Sequence, residues 1–285
     1  MLINNSIYYR QCPLCGSDKI IRVGDIHYPS PLLFSSNVIN LKVKPELWKC
    51  LGCKSGFTQN AVAEQEAIML YKSGVGGSRW VSIPLESEKT SSTIRVLYEF
   101  FNPGQSILDI GCNTGELLDF AKSRGIITAG VEYSSTSREI ADSKGHSCFS
   151  SLEETDGRYD LITAFDLVEH LYDVPKFLAD CRKKLHPNGI LIILTGNFSS
   201  LSAKMAGPDW WYLNFPEHIV FPSQHYFYSL AQFSIMKWVS TYAAIKFSAP
   251  LIDRAKSLIK GFCSGHYTAL PSLVPDHILM VLKNA

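Results

Sequence analysis

The chain has 285 residues, 46% hydrophobic and 19% charged, which is enough apolar surface for a sizeable core and excludes wholesale disorder. Lys plus Arg number 27 against 26 Asp plus Glu, so no general field draws a nucleic acid or an anionic membrane; a polyanion would need a local patch. No apolar run approaches the ~20 residues that span a bilayer, and the N-terminus lacks the basic and apolar regions of a signal peptide, so a cytoplasmic protein with reduced thiols is expected.

The cysteines come first along the chain. Cys12-Pro13-Leu14-Cys15 and Cys50-Leu51-Gly52-Cys53 form two C-x-x-C corners, while Cys112, Cys148, Cys181 and Cys263 stand singly and read as small core residues. Two such corners supply the four thiolates of a tetrahedral structural zinc, with Gly16 and Gly52 suited to the turns. The alternatives are a redox C-x-x-C, which needs a thioredoxin-like strand and helix around it, and unliganded thiols. With four protein ligands no position stays open for catalysis, so a metal here is scaffold for a module over residues 1–60. The insert between the corners, with Pro29, Pro31 and an apolar stretch over 32–43, reads as a hairpin or a loop.

Residues 61–103 form a bridge, with a short amphipathic helix expected over 61–71 and a longer one from 85 or 86 to 101, ended by Asn102-Pro103-Gly104. Between them, Gly74-Val75-Gly76-Gly77-Ser78-Arg79-Trp80 reads either as a flap closing on a ligand or as a plain connection. From Gln105 the period changes. A short apolar strand over 106–111 leads into the turn Asp109-Ile110-Gly111-Cys112-Asn113-Thr114-Gly115, and a helix follows over 115–124. Glycine at both ends of the turn lets the backbone approach a ligand. A second strand, over 126–131, delivers Glu132 to the same edge, where an acid can accept both hydroxyls of a ribose. NAD is the rival ligand, but its G-x-G-x-x-G fingerprint fails at Asn113 and Glu116. Asp109, at the end of the first strand, also repels a pyrophosphate and favours a cation.

This turn resembles the first motif of the class I S-adenosylmethionine (SAM) methyltransferases, with Asn113 in place of the usual middle glycine. The resemblance implies an α/β fold, a Rossmann-like seven-stranded sheet over residues 104–285. It implies that Gly111, Cys112, Asn113 and Gly115 lie against the methionine part of the cofactor and that Asp109 engages its amino group directly or through water. Glu132 then holds the ribose and Tyr133 lies against the adenine, near Ser150 at the end of a third strand. A fourth strand over 159–165 precedes Asp166-Leu167-Val168-Glu169-His170-Leu171, which is similar to the run after the fourth strand in ubiquinone-pathway O-methyltransferases and places Asp166 and Leu167 at the cofactor. A helix over 174–185, a turn at Pro187-Asn188-Gly189 and a fifth strand over 190–194 follow, and segments 235–245 and 277–282 supply the last two strands.

Methyl transfer from a sulfonium is a direct displacement, so the protein must orient the nucleophile and, for an O–H or C–H acceptor, remove a proton. Two histidines sit beside a glutamate, Glu169-His170 and Glu217-His218. His170 reads equally as a residue held structurally at a helix start. His218 lies in an aromatic stretch, Trp210-Trp211-Tyr212-Leu213-Asn214-Phe215-Pro216-Glu217-His218, whose flat faces suit sugars or rings. Four-cysteine module, SAM domain and Glu-His pair together resemble sugar methyltransferases of deoxysugar and surface-polysaccharide pathways. Carried over, His218 is the base and Glu217 its orienter, with His170 next in line. The expected substrate is a small molecule, foremost a sugar or nucleotide-sugar, with a phenol or quinone as the alternative acceptor. A ribosomal-RNA methyltransferase, whose methylating domain a zinc ribbon can also precede, is the less favoured alternative, since the chain has no Asn/Asp-Pro-Pro-aromatic motif, no Pro-Cys nucleophile and only the short basic run Arg182-Lys183-Lys184, which suits a helix end. A non-catalytic module would have lost an acid at 109 or 132, and both are present. No nucleic-acid or membrane partner is expected.

Overall fold

Eight short strands fill the N-terminal part: β1 (Leu2–Ile3), β2 (Ser6–Ile7), β3 (Ile20–Asp25), β4 (Leu32–Phe34), β5 (Asn37–Leu41), β6 (Glu46–Cys50), β7 (Gly56–Gln59) and β8 (Ala61–Val62). The structure, a computed structural model, describes residues 2–3, 5–73, 91–241 and 274–284. The glycine stretch 74–80, the start of the helix expected at 85 or 86, Cys263 and the end of the strand expected to reach 245 lie outside the described residues. The insert between the cysteine corners resolves as the β4–β5 hairpin, with Leu32 opposite Ile39 and Ser35 in the left-handed region at φ 52°.

Two helices follow, α1 (Glu64–Ser73) and α2 (Ser91–Phe100). The helix expected from residue 61 begins only at Glu64, because Ala61 and Val62 are buried in β8 against Ile7 and Ser6 of β2. The Val62 carbonyl also accepts from the Tyr172 hydroxyl at 2.7 Å, and a β-branched residue so held suits a strand.

The sheet strands are β9 (Ser106–Ile110), β10 (Ile127–Val131), β11 (Ser147–Phe149), β12 (Tyr159–Phe165), β13 (Leu185–Gly196), then β15 (Phe233–Thr241) and β16 (His277–Asn284), while β14 (Val220–Phe221) belongs elsewhere. Helices α3 (Glu116–Ser123), α4 (Ser135–Ser143), α5 (Val174–Lys184), α6 (Leu201–Ala206) and α7 (Gln224–Tyr228) connect them. The spatial order is β11-β10-β9-β12-β13-β16-β15; the first five run parallel and β16 is antiparallel to both neighbours. The seven strands expected from the sequence are therefore present, and the sheet reverses direction of assembly between β9 and β12, which opens the crevice where such sheets bind ligands. Central strands β12 and β13 are buried almost throughout, which is why they read as continuous apolar runs. The expected turn at Pro187-Asn188-Gly189 sits inside β13 as an irregularity: pairing steps from Tyr159 opposite Leu185 to Leu161 opposite Ile190, with Asn188 at φ 64°. At α5, Asp173 caps the first turn through Lys176 N–H at 2.9 Å, and Arg182, Lys183 and Lys184 occupy the last turn as expected.

The cysteine-bearing strands do not stand alone. β14 pairs with β7 and completes the four-stranded sheet β14-β7-β6-β3, so a strand from beyond the large sheet closes the N-terminal one. One buried cluster joins Cys12, Leu14, Cys50, Cys53 and Phe57 to Ile219, Val220 and Tyr226 and on to Leu108, Ile162 and Ile193. A second joins Phe34, Leu47 and Leu70 to Trp210, Phe215 and Phe221.

Candidate active site

The glycine turn takes the conformations that its residues permit. Gly111 and Gly115 lie at φ 82° and 87°, and Asn113 at φ 48°, a left-handed value that asparagine tolerates better than most side chains. Behind the turn, His146 bridges the Thr128 hydroxyl (2.8 Å) and the Asp119 carboxylate (2.9 Å), and its ring leaves room for no side chain at Gly115: a Cβ there would sit 3.0 Å from the imidazole. Gly130 on β10 is equally constrained, since a Cβ would meet the Cys112 sulfur at 2.5 Å.

Asp109 lies inside β9 in register with Gly130 and Thr163, 4% exposed, with its Oδ1 accepting from the Thr163 hydroxyl at 2.6 Å. Burial pushes its carboxyl up to about 7; the Thr163 bond opposes this and the nearby Glu132 and Glu116 add to it. Glu132, at the end of β10, accepts the Asn113 N–H at 3.0 Å and the Ser134 N–H at 2.8 Å, so the turn and the acid are locked together while each oxygen keeps a second lone pair. Tyr133 beside it is 72% exposed. Leu167 reaches over Gly111, 3.5 Å from where a Cβ would stand, bringing the loop after β12 onto the glycine turn. Asp166 holds φ 47° and anchors through its N–H to the Leu194 carbonyl at 2.9 Å.

Two expected contacts point elsewhere. The Cys112 thiol is buried against Gly130 and its N–H is taken by the Val131 carbonyl at 3.1 Å, because alternation along the strand end turns it into the core. Ser150 gives both its N–H (2.9 Å) and its hydroxyl (2.7 Å) to Glu154.

The histidines converge. The His170 and His218 rings meet edge to face at 4.6 Å, and Glu169, His170 and His218 each offer a donor atom within 4.8 Å of the others, a spacing that suits a shared proton or a single cation. His218 is 3% exposed, and its Nδ1–H donates to the Tyr212 carbonyl at 2.7 Å, which leaves Nε2 as the basic nitrogen. The carboxylate of Glu217, the residue expected to orient it, accepts the Ser35 N–H at 2.9 Å. Its carbonyl instead receives the Nδ1–H of His170 at 3.1 Å, and burial holds that imidazole down at about 4, hence neutral. The loop carrying Glu217 and His218 is gripped from two sides, by Ile219 N–H on the Glu169 carbonyl and by Thr58 N–H on the Ile219 carbonyl, each at 2.8 Å.

Thr195, Asp276 and His277, which the sequence does not single out, complete the cluster with residues of the aromatic stretch. The Tyr212 hydroxyl donates to the fully buried Glu169, whose other oxygen accepts from Thr195 at 2.8 Å, and Asp166 lies 3.3 Å from the same hydroxyl. Burial, reinforced by Asp166, raises the Glu169 carboxyl to about 8. Asp276 accepts from the indoles of Trp210 (3.1 Å) and Trp211 (2.6 Å) and from His277 at 2.8 Å. Apart from Asp276 with its neighbour His277, these pairings link positions tens of residues apart, and the signal in the sequence is the polar pair Asp276-His277 opening an apolar strand.

The four corner cysteines come together. Cys12 and Cys53 sulfurs are 3.7 Å apart, Cys15 and Cys50 3.6 Å, and all four lie within 4.8 Å of one another. Thiolates at ~2.3 Å from one tetrahedral ion stand about 3.8 Å apart, so the donor set and its spacing fit such an ion. Gly16 turns at φ 73° as expected, while in the second corner the left-handed residue is Lys54, at φ 61°, and not Gly52. Ser223 ties this corner to the large sheet, donating to the Cys53 carbonyl at 2.5 Å.

A family described as a methyltransferase domain matches residues 86–233, just over half of the chain. Among curated proteins, a ubiquinone biosynthesis O-methyltransferase of Rhodopseudomonas palustris (strain BisB5) is 32% identical over 120 residues, covering 38% of this chain and 47% of that protein. One from Pasteurella multocida (strain Pm70) is 28% identical over 116 residues, 33% of this chain and 47% of that one, so the chain spans about half the length of the curated relatives it matches. Among solved structures, coclaurine N-methyltransferase bound to N-methylheliamine and SAH superposes with TM-score 0.50 at 16% identity, over 71% of this chain and 74% of that one. The cyclase SpnF does so with TM-score 0.50 at 18% identity, over 72% and 85%. These likenesses show the fold; that one neighbour is called a cyclase illustrates that fold alone does not fix the reaction.

Proposed function

The chain belongs to the methyltransferase domain family, and from that premise we propose that it transfers the methyl group of SAM to a small-molecule acceptor. The observation that carries the reading is that the Gly111–Gly115 turn with Glu132 and the buried His170–His218 cluster open on the same carboxyl edge of the sheet, joined by Leu167 over Gly111 and by Asp166 beside Tyr212. SAM, when bound, supplies the electrophilic methyl group. Asp109 offers the buried carboxylate that a cationic amino acid group favours, Glu132 accepts from a ribose, and the exposed Tyr133 ring provides a face for the base. His218 takes the acceptor's proton at Nε2 as the new bond to the methyl carbon forms, with the Tyr212 carbonyl fixing its tautomer. Cys12, Cys15, Cys50 and Cys53 hold a structural zinc, which braces β7 and through it the loop that carries His218.

For the acceptor, the four-cysteine module and aromatic loop favour a sugar or nucleotide-sugar. A phenol or quinone is the second reading, favoured by the curated relatives, which are named ubiquinone O-methyltransferases, and by the Asp166 to His170 run. A screen of nucleotide-sugars against phenolic acceptors with methyl-labelled SAM separates them: label in a nucleotide-sugar supports the first, label only in phenols supports the second, and label in neither class overturns both.

A further inference from the structure

A cleft of about 350 Å³ opens where the cysteine module meets the large sheet, lined by Val23, Lys49 and Lys54 from one side and by Phe198, Lys204 and His225 among others from the other. No carboxylate lines it among the described residues. Lys49, Lys204 and His225 make no ion pair among the described residues, whereas Lys54 donates to the Leu51 carbonyl at 2.6 Å. In a chain of net charge +1, three lysines around one concavity are a local excess that repels itself until an anion enters, and His225 adds a hydrogen-bonding ring beside them. This is the local patch that the overall charge does not provide.

The floor is not polar. Phe198 is 8% exposed and packs on Trp210 (6.2 Å between ring centres) and Phe221 (6.3 Å), and Val23 and Ala203 flank it. Phe198 and Ser199 follow directly on the end of β13, at the same edge of the sheet as Glu132 and Asp166, and Trp210 in turn packs on Tyr212 at 5.3 Å. The cleft and the histidine cluster therefore share one aromatic wall. Its volume falls near the lower end of small-ligand sites, which run from ~300 to ~1,000 Å³. A concavity of that size, with an apolar floor and a ring of cations, suits a ligand with a multiply charged head and a flat body; a nucleic acid would call for an extended basic stripe.

We propose that this cleft is a subsite for a diphosphate-bearing small molecule, with the phosphates on Lys49, Lys204 and His225 and a flat base or ring over Phe198. The inference rests on the nucleotide-sugar reading of the acceptor and deepens it, since a nucleoside diphosphate carries both parts.

The test is calorimetric titration of UDP, uridine and inorganic pyrophosphate into the full chain at low salt, for the wild type and for Lys49→Glu/Lys204→Glu. Expected are saturable binding of UDP, at least tenfold weaker binding of uridine and of pyrophosphate, and at least tenfold weaker binding of UDP by the variant, with melting temperature and SAM affinity unchanged. Lys204→Glu alone, at an exposed position, replaces the double variant if that one does not fold. UDP binding that is absent, or unchanged in the variant, overturns the proposal. Pyrophosphate binding as tightly as UDP reduces the cleft to a bare anion site and overturns it too, as does a short RNA that binds through the same lysines while UDP does not. Failure of the methyltransferase reading has a different mark, loss of SAM binding in the wild type; label appearing only in phenols removes the nucleotide-sugar reading whatever UDP does.

Discussion

Asp109→Asn separates charge from shape at the cofactor turn. The amide still accepts from the Thr163 hydroxyl, now 2.6 Å from the carboxylate, but cannot ionise. In the wild type, burial raises the carboxyl to about 7, so a ligand carrying a cation must first ionise it at any lower pH and releases a proton on binding. Affinity for SAM is then expected to fall by up to tenfold, about 1.4 kcal/mol, for each pH unit below this value, and to level off above it. Losing one charge-assisted contact of about 1.5–3 kcal/mol weakens binding by the variant roughly 10- to 150-fold on the plateau, and leaves it nearly independent of pH. Stability carries the opposite sign. The native carboxyl lies above its ordinary value of 3.8, so between 3.8 and about 7 the folded chain binds more protons than the unfolded one, and stability of the cofactor-free wild type falls as pH rises through that window. The variant lacks this fall and melts higher at pH above 7. Titration of SAM in two buffers of different ionisation heat, from pH ~5.5 to ~8.5, counts the released proton directly. A variant with the affinity and pH slope of the wild type would show that the Asp109 charge takes no part in binding the cofactor.

His218→Ala is expected to lower turnover by roughly 10²- to 10⁴-fold, the usual contribution of a positioned base, while SAM affinity changes less than twofold; an active variant moves the base to His170. Gly130→Ala forces a methyl to within 2.5 Å of the Cys112 sulfur, so a loss of about 1–3 kcal/mol in urea unfolding is expected, recovered in part in Gly130→Ala/Cys112→Ala, where the Cβ of residue 112 and Leu118 Cδ1 still stand 3.0 Å away; no recovery would show that the sulfur is not the clash. Metal analysis of protein purified without chelator should return one zinc per chain, and Cys15→Ser should lose it and lower the melting temperature; protein that contains no zinc would remove the metal from the account.

The large sheet was legible because its strands announce themselves. Central β12 and β13 are apolar on both faces, and Asp109 and Glu132 stand at spacings that one sheet edge explains. The partnerships around the histidines were not. His218 is oriented by a carbonyl, which every residue possesses, and Glu217 serves the Ser35 backbone 182 positions away. The same holds for Tyr212 with Glu169 and for Asp276 with the two indoles: burial decides them, and sequence proximity carries no information about which buried polar groups meet. The module boundary suffers likewise, because β14 is a two-residue strand whose pairing with β7 depends on the whole fold.

A crystal structure of the chain with S-adenosylhomocysteine would fix where the cofactor sits. The amino acid part is expected against the Gly111–Gly115 turn, with both ribose hydroxyls within hydrogen-bond reach of Glu132 and the sulfur facing the His170–His218 cluster. A ribose held away from Glu132, or a ligand bound off the carboxyl edge of β9 and β10, would contradict it.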